Sequence, residues 1–125
     1  MRRNALRAFT FNLMVMNYGP AKKAHCDLNA QGDCDMSRSA SQAARNGHAK
    51  YRLPYAQIEL TAMIGVNDVV SNVFTPDDAR IVNAAVKQMQ LAGLHYWSLD
   101  RDGPCKEPVK GASPVCSTLP VKALE

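Results

Sequence analysis

Three short stretches carry side chains able to hold a polar ligand. "MNYG" (16–19) offers an amide and a phenol, "VNDV" (66–69) an amide beside a carboxylate, and "HYWSLD" (95–100) an indole followed by a hydroxyl and a carboxylate. Hydrogen-bonding groups next to a flat apolar platform are the make-up of a sugar site: amides, phenol and carboxylate pair with hydroxyls, and the indole stacks on the C–H face of a pyranose. Met16, Asn17, Tyr18, Asn67, Asp68 and Trp97 are therefore the candidate binding residues. Taken singly, Asn67 and Asp68 also suit a turn, and Tyr18 and Trp97 also suit packing. What singles them out is that each stretch directly follows an apolar run.

Those runs define the elements that must position the site. "TFNLMVM" (10–16) is continuously apolar and predicts a strand covered on both faces; "QIELTAMIGV" (57–66) alternates and is rich in β-branched residues, and "GLHYWSL" (93–99) is the third strand. Between the first two, Met36, Ala40, Ala43, Ala44 and Gly47 recur on one helical face of "MSRSASQAARNGHAK". Between the last two, Thr75 is the expected N-cap, with Pro76 in the first helical position and Asp77 and Asp78 at the positive end of the helix dipole. Ala79, Val82, Val86 and Met89 form that helix's buried stripe, and Gly93 is its expected stop. Strand, helix, strand, helix, strand makes two βαβ units, hence an α/β fold with a parallel sheet and right-handed crossovers. Ligands on such sheets gather at the carboxyl ends of strands, where all three stretches fall.

Composition narrows the function classes. The 125 residues make one domain, 46% hydrophobic, with a net charge of +4. Basic residues are dispersed after a small cluster at Arg2, Arg3 and Arg7, without interleaved aromatics, so nucleic acid is not an expected partner. No apolar stretch approaches the ~20 residues of a membrane span. Asn12 interrupts the early run "FNLMVM" and no small-residue cleavage site follows, so no signal peptide is expected. The organisation reads as a basic arm over 1–9, the βαβαβ unit over 10–102 and an irregular tail rich in proline and cysteine over 103–125, whose terminal Leu124 and Glu125 resemble a cloning remnant.

Four cysteines fall in two local pairs, Cys26 with Cys34 and Cys105 with Cys116. Seven and ten intervening residues exceed the usual zinc-ligand spacing, which favours two disulfide hairpins over a metal site and leaves four free thiols as the alternative. Such bonds belong to an extracellular or periplasmic protein. "DLNAQGDCDMSR" has calcium-loop residues in Asp27, Asn29, Gly32, Asp33 and Asp35, but Gln31 and Arg38 occupy ligand positions, so no metal is expected. His25, His48 and His95 are scattered, and no Gly-x-Ser-x-Gly elbow accompanies them.

"NLMVMNYG", "IELTAMIGVNDVVSNVFTPDDARIV" and "GLHYWSLDRDGPC" together resemble the last three strand units of a bacterial chitinase of glycoside hydrolase family 18, over about residues 11 to 105. The resemblance implies part of a (β/α)8 TIM barrel and chito-oligosaccharide as ligand, with no cofactor. It places the family's Met-x-Tyr pattern on Met16 and Tyr18, its sugar-flooring tryptophan on Trp97, and sugar neighbours at Met63, Asn67 and Asp68. Asn17 or Gly19 stands where the family has an aspartate. The family's catalytic D-x-x-D-x-D-x-E is found nowhere in the chain, so the glutamate that protonates the glycosidic oxygen is lacking and no catalytic residue is assigned.

The expected protein is thus a truncated chitinase-like chain that keeps part of a sugar-binding surface. Two alternatives stay open: an active glycosidase, in which an assembly recruits Asp68 or Asp100 or the chain works with a missing half, and a structural fragment without a ligand. Three strands of a barrel leave open edges, so self-association or a complementary half is expected. The cysteine pairing has a direct check. Denatured, unreduced protein should not react with a thiol reagent, and peptide mapping should return Cys26–Cys34 and Cys105–Cys116; two or more reactive thiols would remove the argument for export.

Overall fold

Asp35 begins the first helix. Its carboxylate accepts the Arg38 N–H at 2.9 Å, and α1 then runs over Met36–Tyr51. In this computed structural model, which describes residue 6 and residues 8 to 120, the strands are β1 (Phe11–Met14), β2 (Ile58–Met63), β3 (Gly65–Val66), β4 (Val73–Phe74) and β5 (Gly93–Trp97). The arm arginines Arg2, Arg3 and Arg7 and the terminal Leu124 and Glu125 lie outside the described residues. The second helix, α2 (Pro76–Met89), starts from a capping box in which Thr75 and Asp78 each take the other's backbone N–H.

The main sheet has the order β1-β2-β5, both pairings parallel, and β3 with β4 forms a separate antiparallel ribbon. The fold is thus mixed α/β with a three-stranded parallel sheet and two helices. Ile58, Leu60 and Ala62 of β2 alternate onto one face and are buried with Val15, Met36, Ala40, Ala44, Val82 and Val86. Ala40 and Ala44, both fully buried, let α1 lie close on the sheet. The opposite face carries Asn12 and Met14, then Glu59, Thr61 and Met63, then His95 and Trp97. There Thr61 Oγ1 donates to Asn12 Oδ1 at 2.8 Å, and His95 Nε2 stands 3.6 Å from Glu59 Oε2.

Several boundaries differ from the sequence reading. β1 is open on one face, with Met14 60% exposed, because no element among the described residues covers it opposite the helices. β2 stops at Met63 instead of Val66. Gly65, at φ +74°, takes the chain out of the ladder into the ribbon, a conformation that favours glycine. Gly93 does not end α2; Gln90 in the left-handed region does, while Gly93 opens β5 beneath His95 and Glu59. The last strand ends at Trp97, and Leu99–Arg101 forms a 3-10 turn. Two disulfides, Cys26–Cys34 and Cys105–Cys116, use all four cysteines, as the spacing predicts.

The tail packs against the break in β2. Ser117 O accepts the Val66 N–H at 2.9 Å, and Ser117 N donates to Gly103 O at 2.9 Å. A Cβ on Gly65 would stand 2.0 Å from Ser117 O. Gly65→Ala should therefore lower unfolding free energy by about 2 kcal/mol or more, through strain at positive φ and the backbone collision. Urea denaturation checks this, and a variant as stable as the parent would contradict the close approach.

Candidate functional site

The rim at the carboxyl ends of the strands is assembled by backbone pairing first. Met63 is the register partner of Trp97, and Ile64 N donates to Trp97 O at 3.0 Å. The indole is thereby set beside the thioether. The Trp97–Ser98 peptide is cis, and the Trp97 side chain is 57% exposed on the open face.

Two asparagines missing from any surface fix the adjacent loop. Asn67 is fully buried; its Nδ2 donates to Met63 O at 2.8 Å and Gly65 O at 3.1 Å, and its Oδ1 accepts the Asn17 N–H at 3.2 Å. Asn72, also fully buried, accepts the Tyr18 N–H at 2.7 Å and donates to Gly19 O at 3.1 Å. These bonds lash the segment after β1 to the loop after β2. A buried amide so fully used costs little, whereas one left unpaired costs about 1–3 kcal/mol.

Asn17 is the joint between the two segments. It sits in the left-handed region, φ 52°, which asparagine tolerates better than most residues. Its Oδ1 accepts the Val69 N–H at 3.0 Å, while its Nδ2 donates to Asp68 Oδ2 at 3.2 Å and approaches Met63 Sδ at 3.9 Å. Asn17 therefore touches both Met63 and Asp68, and Met63 is the register partner of Trp97. Met16 lies half-buried just beyond β1. An amide, a carboxylate, a thioether and an indole side by side can accept and donate hydrogen bonds next to an apolar plane. That is the equipment of a holding surface.

Tyr18 does not join this group. Its ring packs against the core, and its hydroxyl is buried without a hydrogen-bond partner among the described residues. It borders a cavity of about 190 Å³ on the α1 side, lined also by Asp27, Ser39, Gln42 and Asn46. Burial first, and then the negative charge of Asp27, push its phenol well above the ordinary value. Asn67, by contrast, acts from beneath the rim, holding Asn17 rather than facing solvent.

Arg101 and Met14 carry weight that the sequence reading does not assign. Arg101, 1% exposed, donates from Nη2 to Ile64 O at 2.8 Å and Val66 O at 2.7 Å, and from Nη1 to Ser113 O. Burial lowers its pKa and the nearby Asp68 opposes that shift. Nothing in "LDRDG" marks an inward arginine, and a continuously apolar run gives no sign that Met14 stands exposed. The loop between Cys26 and Cys34 is closed by Asn29, whose Oδ1 accepts from Gln31 N at 3.0 Å and Asp33 N at 2.9 Å. His25 meets Pro20 O, His48 meets Leu53 O and stacks on Tyr55, and His95 faces Glu59, three separate places.

No family model matches the chain. It is 32% identical over 103 residues to a probable bifunctional chitinase/lysozyme of Escherichia coli (strain K12), a match covering 74% of this chain and 11% of that protein. It is 31% identical over 103 residues to endochitinase 11 of Metarhizium anisopliae, covering 74% and 19% respectively. The chain thus spans between about one tenth and one fifth of the length of these relatives. In structure it is similar to the catalytic domain of a hyperthermophilic chitinase from Pyrococcus furiosus, with a TM-score of 0.65 and 27% identity, over 93% of this chain and 37% of that one. Catalytic-site mutants of active domain 2 of the thermostable Pyrococcus furiosus chitinase, complexed with chito-oligosaccharides, match equally well, over 36% of that chain.

The position of Tyr18 has a measurable consequence. Because its hydroxyl has no partner among the described residues, Tyr18→Phe should leave stability within about 1 kcal/mol of the parent and leave the rim unaffected. Its raised pKa sets the pH dependence. The neutral phenol stabilises the fold below the unfolded value of about 10, and that contribution fades as pH rises above it. The phenylalanine variant should lose less stability than the parent above about pH 10 in urea titrations; identical alkaline profiles would refute the buried hydroxyl.

Proposed function

From a chain that is chitinase-like, of the glycoside hydrolase family 18 type, over the part of those domains it spans, we propose a surface that binds chito-oligosaccharide. The observation that carries the reading is the registration of Met63 with Trp97 on one face, with the Asn17–Asp68 pair in contact with Met63. The exposed indole floors a pyranose through its C–H face. Asp68 and the Asn17 amide take hydroxyl or acetamido groups at its edge, the half-buried Met16 adds apolar surface, and the buried Met63 backs Asn17 from beneath. Asn67 contributes from below by fixing Asn17. The chito-oligosaccharides complexed with the Pyrococcus furiosus mutants support this ligand class.

The surface holds and does not cleave. The 125 residues contain no D-x-x-D-x-D-x-E, so the acid that would protonate a glycosidic oxygen is not supplied by this segment. The three strands correspond to the last three of a (β/α)8 barrel. With β1 and β5 both at open edges of the sheet, completing strands or a second copy would extend it. The two disulfides support an extracellular or periplasmic setting for this function.

Titration with chitotriose tests the reading, because the single tryptophan reports directly on the rim. Binding in the millimolar range, worth about 4 kcal/mol, is expected from a partial site. Trp97→Ala should abolish it and Trp97→Phe should weaken it, while a fluorogenic chitobiose substrate shows no release above buffer. Absence of both heat and an emission change at saturating chitotriose would sink the proposal.

A further inference from the structure

Trp97 is weakly held by packing, since more than half of its side chain is exposed and the turn after it contributes Leu99, which is 77% exposed. Its orientation must come from the backbone on either side. On one side is the β2 pairing that ends with Ile64 N to Trp97 O. On the other is the 3-10 turn, closed by Arg101 N to Ser98 O at 2.9 Å and Asp102 N to Leu99 O at 3.0 Å. What anchors that turn is Arg101, whose buried guanidinium reaches back to the carbonyls of Ile64 and Val66. These flank Gly65, one and three residues past the register partner of Trp97. The third carbonyl, that of the buried Ser113, lies inside the loop closed by Cys105–Cys116.

We propose that Arg101 is a positioning residue for the Trp97 platform, clamping the segment after β5 to the break after β2, with the Cys105–Cys116 loop as its third anchor. This rests on the reading of Trp97 as the sugar floor. A planar fork with five donors can hold three carbonyls at fixed angles, and it keeps its charge when buried. A lysine at the same place carries its three donors on one flexible point charge and cannot hold three carbonyls at fixed angles.

Time-resolved fluorescence anisotropy of the free protein reads the order of Trp97 directly, because no other tryptophan contributes. Arg101→Lys should increase the amplitude of the fast depolarisation below the melting transition, and weaken chitotriose binding about ten-fold, as when the ordered platform falls to about a tenth of the population. A merely structural arginine would lower the melting temperature and leave the anisotropy of the folded state unchanged. That result overturns the proposal, as does raised mobility of Trp97 with undiminished affinity. If Arg101→Lys does not fold, the paired variant Cys105→Ala and Cys116→Ala carries the test. It keeps the bonds to Ile64 and Val66 while freeing Ser113, and unchanged anisotropy there overturns the proposal equally. Should the parent itself bind no chitotriose, the sugar-surface reading fails, and the anisotropy alone decides the role of Arg101.

Discussion

The rim depends on one interruption in the central strand. β2 is paired with β1 through Thr61 and with β5 through Met63, and it cannot continue, because Gly65 turns at positive φ beneath the backbone of Ser117. The interruption releases the carbonyls of Met63, Ile64, Gly65 and Val66 from a continuous ladder. Buried carbonyls need partners, and here Asn67 takes two of them and Arg101 the other two. Had the strand run straight through Val66, those acceptors would have faced a neighbouring strand, and neither side chain would have had cause to turn inward.

From that point the polar network spreads outward in a definite order. Asn67 and Asn72 fasten the segment after β1, Asn17 converts that fastening into a contact with Asp68 and Met63, and Arg101 fastens the segment after β5. Asn67, Asn72 and Arg101 are buried and donate to backbone carbonyls, while Asn17 donates to the Asp68 carboxylate. Such networks specify one arrangement because a partly satisfied alternative would strand a polar group away from water. The ionic contact between His95 and Glu59 is of a different kind, long and half exposed, and adds little.

The two faces of the sheet divide the labour. Under α1 and α2 the residues are small or aliphatic and close-packed, with Ile58, Leu60 and Val82 almost without exposure. The other face is sparsely polar, with Asn12 bonded to Thr61 and Met14 left bare. An exposed apolar and polar mixture on that face suits a ligand or further chain. Both disulfides lie in the loops rather than in the sheet, so they brace the segments that packing holds least.

Much of this was legible in the residues themselves. The helix over Pro76–Met89 follows from Thr75, Pro76 and Asp78, because a capping box is satisfied within four residues of chain. The cysteine pairing follows from short loops, and the parallel sheet from the order of apolar runs. Which way the residues beyond a strand end point was not legible, since periodicity stops where the ladder stops. Tyr18 belongs to the core although it lies one residue past Asn17, and Asn67 and Arg101 are buried although their neighbours are charged. The partners that decide those directions lie distant in sequence, as Asn17 is from Asn67 and Arg101 from Ile64. Local chemistry thus determined the elements and the list of candidates. Only the tertiary packing, by creating unpaired backbone groups at the break in β2, decided which candidates face solvent and which hold the others in place.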